Sequence, residues 1–452
     1  MNDLVSLAER VVARAKAGED IEAYVARGHD IEVRAYDGEV ESLSSATTGG
    51  IGVRVLVTNG SEGARLGVAW AGSLDGEVVD SAVEEARDNA MFATPDPDVV
   101  FATPDGVAAA DLDLWDPTVA DTATDDKVAL ALDLERQVRG ADPRIRQVSS
   151  ADYGDERIEV ALASTTGIRA FTQRTAAFLS VSAIAGEGAD SHTGTGFSVA
   201  RGFAGLDAER AAQEAVVRST RMLGATKVPS ERLTVVFDRR VVSTLLSVIS
   251  SALSGEAVVK GRSFFAGRVG EKVATGSFTL VDDPTDPRAF AAAAHDAEGL
   301  ACRRTVLIDS GVLAGFFYDT VSARRAGTTS TGSAVRGGYA GTPGAGCRAL
   351  VLQPGHHDQQ AILAAVGEGV YVQSVTGVHS GVNPVSGDFS VGIEGLMVRD
   401  GELAEPVREV TVASTLQRML QSVLHVGVDI EWLPGIAAGQ TLAIGDMQLS
   451  GS

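Results

Sequence analysis

The 452-residue sequence has little cysteine, few aromatic residues and no long hydrophobic run. Its two cysteines, Cys302 and Cys347, are not part of any CxxC pair, so a disulfide scaffold is excluded. No apolar run approaches the roughly 20 residues that cross a bilayer. The opening segment 1–20 carries charges where a signal peptide needs apolar residues. We therefore expect a cytoplasmic protein with no membrane partner.

Basic residues are also in short supply, with 38 Lys and Arg against 60 Asp and Glu and a net charge of −22. Proteins that bind nucleic acid need clustered Lys and Arg to neutralise phosphates, so no nucleic-acid partner is expected. The hydrophobic fraction of 44% and charged fraction of 22% are typical of a globular chain. The 51 glycines indicate many turns, and the low aromatic content of 5% indicates a core of Ala, Val and Leu.

The hydrophobic periodicity predicts an α+β protein with mixed or antiparallel sheets and packed helices. Helices are predicted over 2–17, 76–90, 125–139, 207–222, 241–253 and 412–426. Strands are predicted over 21–26, 30–36, 51–58, 65–71, 157–163, 168–174, 177–184, 233–237, 277–281, 304–308, 349–352 and 391–398, with a turn at 59–63. A polar stretch at 225–230 divides the chain into an N-terminal α+β domain, 1–225, and a β-rich C-terminal domain, 230–452.

Common catalytic motifs are missing from the sequence. It has no His-Glu-x-x-His, no GxSxG, no Ser-x-x-Lys and no Walker loop. Cys302 precedes Arg303 and Arg304, which would lower the pKa of its thiol. No patterned histidine partner accompanies this cysteine, so the sequence does not identify it as a nucleophile.

Metal ligands could come from two groups of residues and one further histidine. The first group is His295, Asp296 and Glu298, and the second is the pair His356 and His357 after a predicted strand; His379 stands alone. Either group could instead cap a turn or lie in a solvated loop, and His379 could be a packing or surface residue. Composition and spacing alone leave the catalytic site unidentified.

Three longer segments resemble the TldD/PmbA family of metalloprotease-related proteins. They are GRSFFAGRVGEK and its continuation over 261–284, the block 295–338, and GVNPVSGDFSVGIEG and its continuation over 381–413. The first half also fits the family in its opening helix and its YDGEVES strand. The resemblance covers nearly the whole chain and implies a two-domain TldD/PmbA-like fold.

This family has two kinds of subunit, one of which carries His-Glu-x-x-x-His and a C-terminal cysteine as its metal site. Counted back from 261, the motif falls on Leu246 to Ser251, with Leu246 and Ser251 at the histidine places and Ser247 at the glutamate place. No cysteine follows Cys347. The resemblance therefore implies a PmbA/TldE-type subunit with no catalytic residue and no metal of its own.

The same resemblance implies a TldD-type partner that holds a zinc-like metal and cleaves unfolded peptides. This chain would shape the cavity, and its Gly-rich segments 327–341 and 377–392 could offer strand edges to peptide; those glycines could equally make tight turns. Two alternatives remain open. One is a metallopeptidase whose displaced metal site is drawn from His295, Asp296, Glu298, His356, His357 and His379. The other is a stand-alone peptide-binding or scaffold protein, such as a homodimer.

Overall fold

A computed structural model describes residues 2–58 and 63–451 of the chain. The predicted turn at 59–63 therefore lies outside the described residues, except for Gly63. In the described part of the chain, no helix has both the length and the apolar character needed to cross a membrane.

The first half forms one antiparallel sheet with helices on one face. Its strands are β1 (Glu19–Tyr36), β2 (Glu39–Thr58), β3 (Ala64–Ala71), β4 (Ile145–Ser164), β5 (Arg169–Ala185) and β6 (His192–Ala200). Its helices are α1 (Asn2–Val12), α2 (Gly76–Phe92), α3 (Thr118–Asp121), α4 (Thr124–Ala141) and α5 (Ala208–Thr220). The strand order is β3-β2-β1-β4-β5-β6.

Buried apolar residues alternate along β1 with residues on the other face of the sheet. Ile21, Ala23 and Val25 are buried in the core beneath α1 and α2, and Tyr24 lies on the opposite face, because successive strand residues point to opposite sides. The two strands predicted over 21–26 and 30–36 are one strand, since the residues between them pair with both β2 and β4.

The second half is richer in strands. They are β7 (Glu231–Phe237), β8 (Leu280–Asp282), β9 (Thr305–Asp309), β10 (Val312–Leu313), β11 (Ala334–Val335), β12 (Gly344–Ala345), β13 (Leu350–Leu352), β14 (Gly369–Thr376), β15 (Asp388–Arg399), β16 (Glu402–Thr415), β17 (Val423–Val426), β18 (Glu431–Trp432), β19 (Ala438–Gly439) and β20 (Leu442–Ser450). The helices are α6 (Arg239–Ala252), α7 (Gly255–Val259), α8 (Thr320–Arg325), α9 (Gln359–Val366), α10 (Val378–Gly381) and α11 (Leu416–Gln421).

The principal sheet of this half is mixed, with the order β16-β15-β14-β7-β20-β17. β7 and β14 run parallel, and the other pairings are antiparallel. A second sheet has the order β10-β9-β8-β13. This architecture confirms the predicted α+β class and the β-rich character of the C-terminal region.

The helix predicted over 412–426 is wrong. The chain continues as strand β16 to Thr415, forms the short helix α11, and returns to a strand at Val423. The helical spacing of Leu416, Met419 and Leu420 is real, because all three are buried. It persists for only one and a half turns because the flanking β-branched residues pair with β15 and β20.

Glycine at position 67 lets α2 lie directly on β3. A Cβ atom there would overlap the carbonyl oxygen of Ala86 and the backbone nitrogen of Ala90. We expect Gly67→Ala to destabilise the fold by about 1–3 kcal/mol, because backbone cannot move aside as a side chain can. Chemical denaturation measures the loss. Gly76→Ala is the matched control, since nothing lies within 4 Å of a Cβ at that position; equal stability of the two variants would contradict this packing.

Candidate functional site

Helix α6 carries the residues that stand at the family's metal-motif positions. Asp238 caps its first turn by accepting a hydrogen bond from the Arg240 backbone N–H at 2.9 Å. Leu246, at the first histidine place, is 1% exposed and lies in the core of the C-terminal half. A helix therefore exists where the motif would lie, and its buried stripe is apolar.

The wall around Leu246 is apolar on every element that lines it. A small void beside this side chain is bounded by α6, by α11 and by strands of the principal sheet. Its lining residues are Leu245, Leu246, Ile249, Phe278, Leu416, Met419, Leu420, Val423, Leu442 and Ile444. None of these side chains is a good donor for a hard or borderline metal ion.

The two serines at the motif positions do not add metal ligands to this apolar wall. The Ser247 hydroxyl donates a hydrogen bond to the Ser243 carbonyl oxygen at 2.9 Å. Ser251 is exposed, because five residues turn a helix by about 140° beyond one full turn, which separates it from Leu246. The residues present at these positions therefore do not fit a metal ion.

The candidates for a displaced metal site are scattered. His356, His357 and His379 are exposed, and His357 packs against the ring of His425 with centroids 5.8 Å apart. The Asp296 carboxylate accepts hydrogen bonds from the backbone N–H groups of Glu298, Leu300 and Ala334. Within residues 2–58 and 63–451, no group of three His, Cys, Asp or Glu side chains could hold a metal. The described residues therefore provide no ligand set for a displaced metal site.

Arg303 acts to lower the pKa of the Cys302 thiol, as expected, but burial outweighs this effect. The thiol is 3% exposed, and burial raises its pKa to about 12. Arg303 turns away to bind Asp105 at 2.6 Å. Burial also raises the pKa of the Cys347 thiol, which lies beside Ser250 of α6. Neither cysteine is a thiolate nucleophile at neutral pH.

A large cavity lies between the two halves. A cavity of about 620 Å³ separates the helix-free face of the first sheet from the loops 292–297 and 336–339. Its walls include Tyr24 of β1, Tyr339, and the half-buried His295. The volume falls within the range of small-molecule sites, roughly 300–1,000 Å³.

A buried charge cluster closes one side of this cavity. Glu22 accepts hydrogen bonds from Arg54 at 2.9 and 2.6 Å and from Arg336 at 2.5 Å. Burial acts to raise the Glu22 pKa, but the two guanidinium groups outweigh it and hold that pKa at about 2. The Arg336 guanidinium also lies 4.5 Å from the centroid of the Tyr24 ring. This cluster joins the first sheet to the 336–339 loop.

The Gly-rich segments contain little strand. In 327–341 the only strand is the two-residue β11, which pairs with β12. Segment 377–392 contains α10 and the start of β15, where residues 388–392 pair with β16 and only Gly392 pairs with β14. Glycine matters on the opposing surface instead. A Cβ at Gly52 of β2 would overlap the Tyr339 carbonyl oxygen, so glycine there lets the loop dock.

Sequence reasoning missed the cavity and its arginines, which are Arg27, Arg174, Arg336 and Arg348. The alternation of apolar residues with Glu22 and Tyr24 in the first strand predicts one face in water, so it gave no signal of a cavity on that face. No local pattern could pair Glu22 with Arg336, because 314 residues separate them.

Comparison with known protein families places this chain in a class of metallopeptidase-like α+β proteins. Models of the PmbA/TldA metallopeptidase domain 1, central domain and C-terminal domain match residues 21–90, 117–223 and 230–451. The chain belongs to the PmbA/TldD family, and the resemblance read from the sequence is confirmed.

Individual relatives agree with this assignment. The chain is 28% identical to a Haemophilus influenzae metalloprotease PmbA homolog over 97% of this chain and 93% of that protein. It is also 28% identical to a metalloprotease TldD homolog of the same organism, over 71% and 69% of the two chains. The crystal structure of TldE from Thermococcus kodakarensis has the same fold, with a TM-score of 0.88, 24% identity and 100% coverage of both chains.

Glu298 lies beneath the cavity wall and is the most consequential titratable group near it. It is 1% exposed, and its Oε2 accepts hydrogen bonds from the Thr320 N–H at 2.9 Å and the Thr320 hydroxyl at 2.6 Å. Burial and the neighbouring Asp296 raise its pKa from 4.5 to about 7. The folded protein therefore favours the protonated form.

The stability contributed by this protonation is fully present below pH 4.5 and is lost as pH rises through about 7. Between pH 5 and 7.5 we expect the wild type to lose roughly 2–3 kcal/mol relative to Glu298→Gln, whose amide stays neutral. Urea unfolding at both pH values measures the difference. The exposed Glu402→Gln variant should follow the wild type, and parallel pH profiles for wild type and Glu298→Gln would contradict the shifted pKa.

Proposed function

We propose that this chain is a non-catalytic subunit of a TldD/TldE-type heteromeric metalloprotease in the cytoplasm. A TldD-type partner supplies the zinc-like metal and the hydrolytic chemistry. This chain helps to shape the cavity that admits unfolded peptide. The observation that carries the proposal is the apolar surrounding of Leu246, where a metal-bearing family member needs imidazole and thiolate ligands and a carboxylate base.

The open edge of β2 supports an interaction with a partner. β3 pairs only with the segment 51–58 of β2, so the segment 39–50 has β1 on one side and no strand on the other within the described residues. Val40 and Leu43 lie on this edge with exposed fractions of 40% and 48%. An unpaired edge with apolar side chains is suited to pairing with another chain.

The enzymatic division of labour is tested by mixing purified subunits. Alone, this chain should bind no stoichiometric zinc and cleave no unfolded peptide, since Leu246 and Ser251 offer no effective ligands. Addition of the TldD-type protein from the same organism should produce cleavage that a chelator abolishes. Metal analysis and peptide mass spectrometry provide the two readouts.

Ser247→Ala in this chain is the matched control for that assay. If Ser247 had the catalytic role of the motif glutamate, this variant would lose activity. The reconstituted complex should cleave peptide at the wild-type rate with this variant. Chelator-sensitive peptidase activity and bound metal in the isolated chain would refute the proposal.

The edge of β2 is tested by the double variant Val40→Lys and Leu43→Lys. Two added charges should prevent assembly with the TldD-type protein while leaving the fold intact, because both side chains are already partly exposed. Size-exclusion chromatography with light scattering measures assembly. Val269→Lys, exposed in a distant loop at 56%, is the control. Unchanged assembly would exclude this edge, and a wild-type homodimer that the variant dissolves would favour the stand-alone alternative.

A further inference from the structure

The cavity between the halves is lined by four arginines, and one of them forms no salt bridge. Of its four arginines, Arg27 binds Glu159 at 2.8 Å, Arg174 binds Glu156 at 3.1 Å and Arg336 binds Glu22 at 2.5 Å. Arg348 has no carboxylate within 4.0 Å among the described residues. Its Nη2 donates only to the Ala334 carbonyl oxygen, at 3.2 Å.

Three buried nitrogen atoms of this cavity have no hydrogen-bond partner. They are Nε of Arg336, Nε of Arg348 and Nδ1 of His295. The Arg336 side chain is 1% exposed. These three atoms are covered by the protein itself. Arg348 as a whole is only half-buried and lines the cavity, so its guanidinium is the group that an acceptor entering the cavity can meet.

The remaining walls restrict what that acceptor can belong to. The back of the sheet contributes Ile158, Val160 and Leu162, and Tyr24 and Tyr339 add aromatic surface. An inorganic anion would leave these apolar walls without contact. A ligand with one anionic group and an apolar portion fits both parts of the cavity.

We propose that this cavity is a binding site for a monovalent organic carboxylate, with the carboxylate at Arg348 and the apolar portion against the sheet. A guanidinium binds a carboxylate through two parallel N–H donors, which suits Arg348 in particular. Asp296 also lines the cavity, but its oxygens already accept three backbone hydrogen bonds. The site lies within this chain and does not depend on the proposed metalloprotease partnership.

The carboxylate could belong to the end of a peptide or to a small free acid, and isothermal titration of the full-length chain separates these sources. The probes are N-acetyl-alanyl-leucine with a free C-terminal carboxylate, the same dipeptide as its C-terminal amide, and 3-phenylpropionate. At least one of the two acids should bind with one-to-one stoichiometry. The amide should bind roughly 10- to 100-fold more weakly than the dipeptide acid if that acid binds, since it lacks the charge-assisted hydrogen bonds.

Arg348→Gln should weaken binding of the acid by a similar roughly 10- to 100-fold. Arg262→Gln is the control, because Arg262 is exposed and outside the cavity. Thermal unfolding verifies that both variants are folded, and Arg348→Lys, which keeps the charge but not the planar fork, should show intermediate affinity. Equal binding of acid and amide, no saturable binding of either acid, or undiminished binding to folded Arg348→Gln would overturn the proposal.

Discussion

The buried contact of Glu22 with Arg54 and Arg336 joins the first sheet to the second half of the chain at the wall of the cavity. Arg54 and Glu22 lie on adjacent strands of the first sheet, while Arg336 reaches them from a loop of the second half. Loss of one member of such a cluster leaves a buried charge unpaired, at a cost of about 3–5 kcal/mol. The position of Arg336 also sets that of Tyr339, which packs on β2 at Gly52. The cavity wall formed by the 336–339 loop therefore depends on this electrostatic contact.

Helix α6 shows how a motif position can lose its ligands without losing its helix. Val241, Val242, Leu245, Leu246 and Ile249 form a continuous buried stripe. Burial of a Leu or Val side chain is worth about 1.5–3 kcal/mol, so packing alone accounts for the helix. A metal site on the same helix would need polar donors facing α11, where Met419 and Leu420 now lie. The same face of α6 can either pack against α11 or bind a metal ion, but not both.

The sequence predicted those elements whose signal is local. The alternation of β1, the buried stripe of α6 and the α+β class follow from hydrophobic periods of 2 and 3.6 residues. The helix over 412–426 was wrong because three helically spaced residues belong to a short turn between two strands. The sequence left open whether the Gly-rich segments form strand edges or tight turns. Five of their glycines adopt the positive φ of turns, and these are Gly327, Gly332, Gly338, Gly377 and Gly387. The division into domains 1–225 and 230–452 stays a prediction.

The cavity escaped sequence analysis for a different reason. Its walls combine β1, β4 and β5 with loops more than 100 residues further along the chain, and only the tertiary structure brings these together. Burying a charged cluster rarely adds stability over an apolar packing of similar volume. The pairing of Arg336 with Glu22 is still explained by its role in joining the halves. Arg348 forms no salt bridge with a carboxylate of the described residues, although its charge acts to lower the pKa of the Asp282 and Asp296 carboxyl groups. Because Arg348 is half-buried at the cavity wall, its guanidinium can also meet an anion that enters from outside the chain.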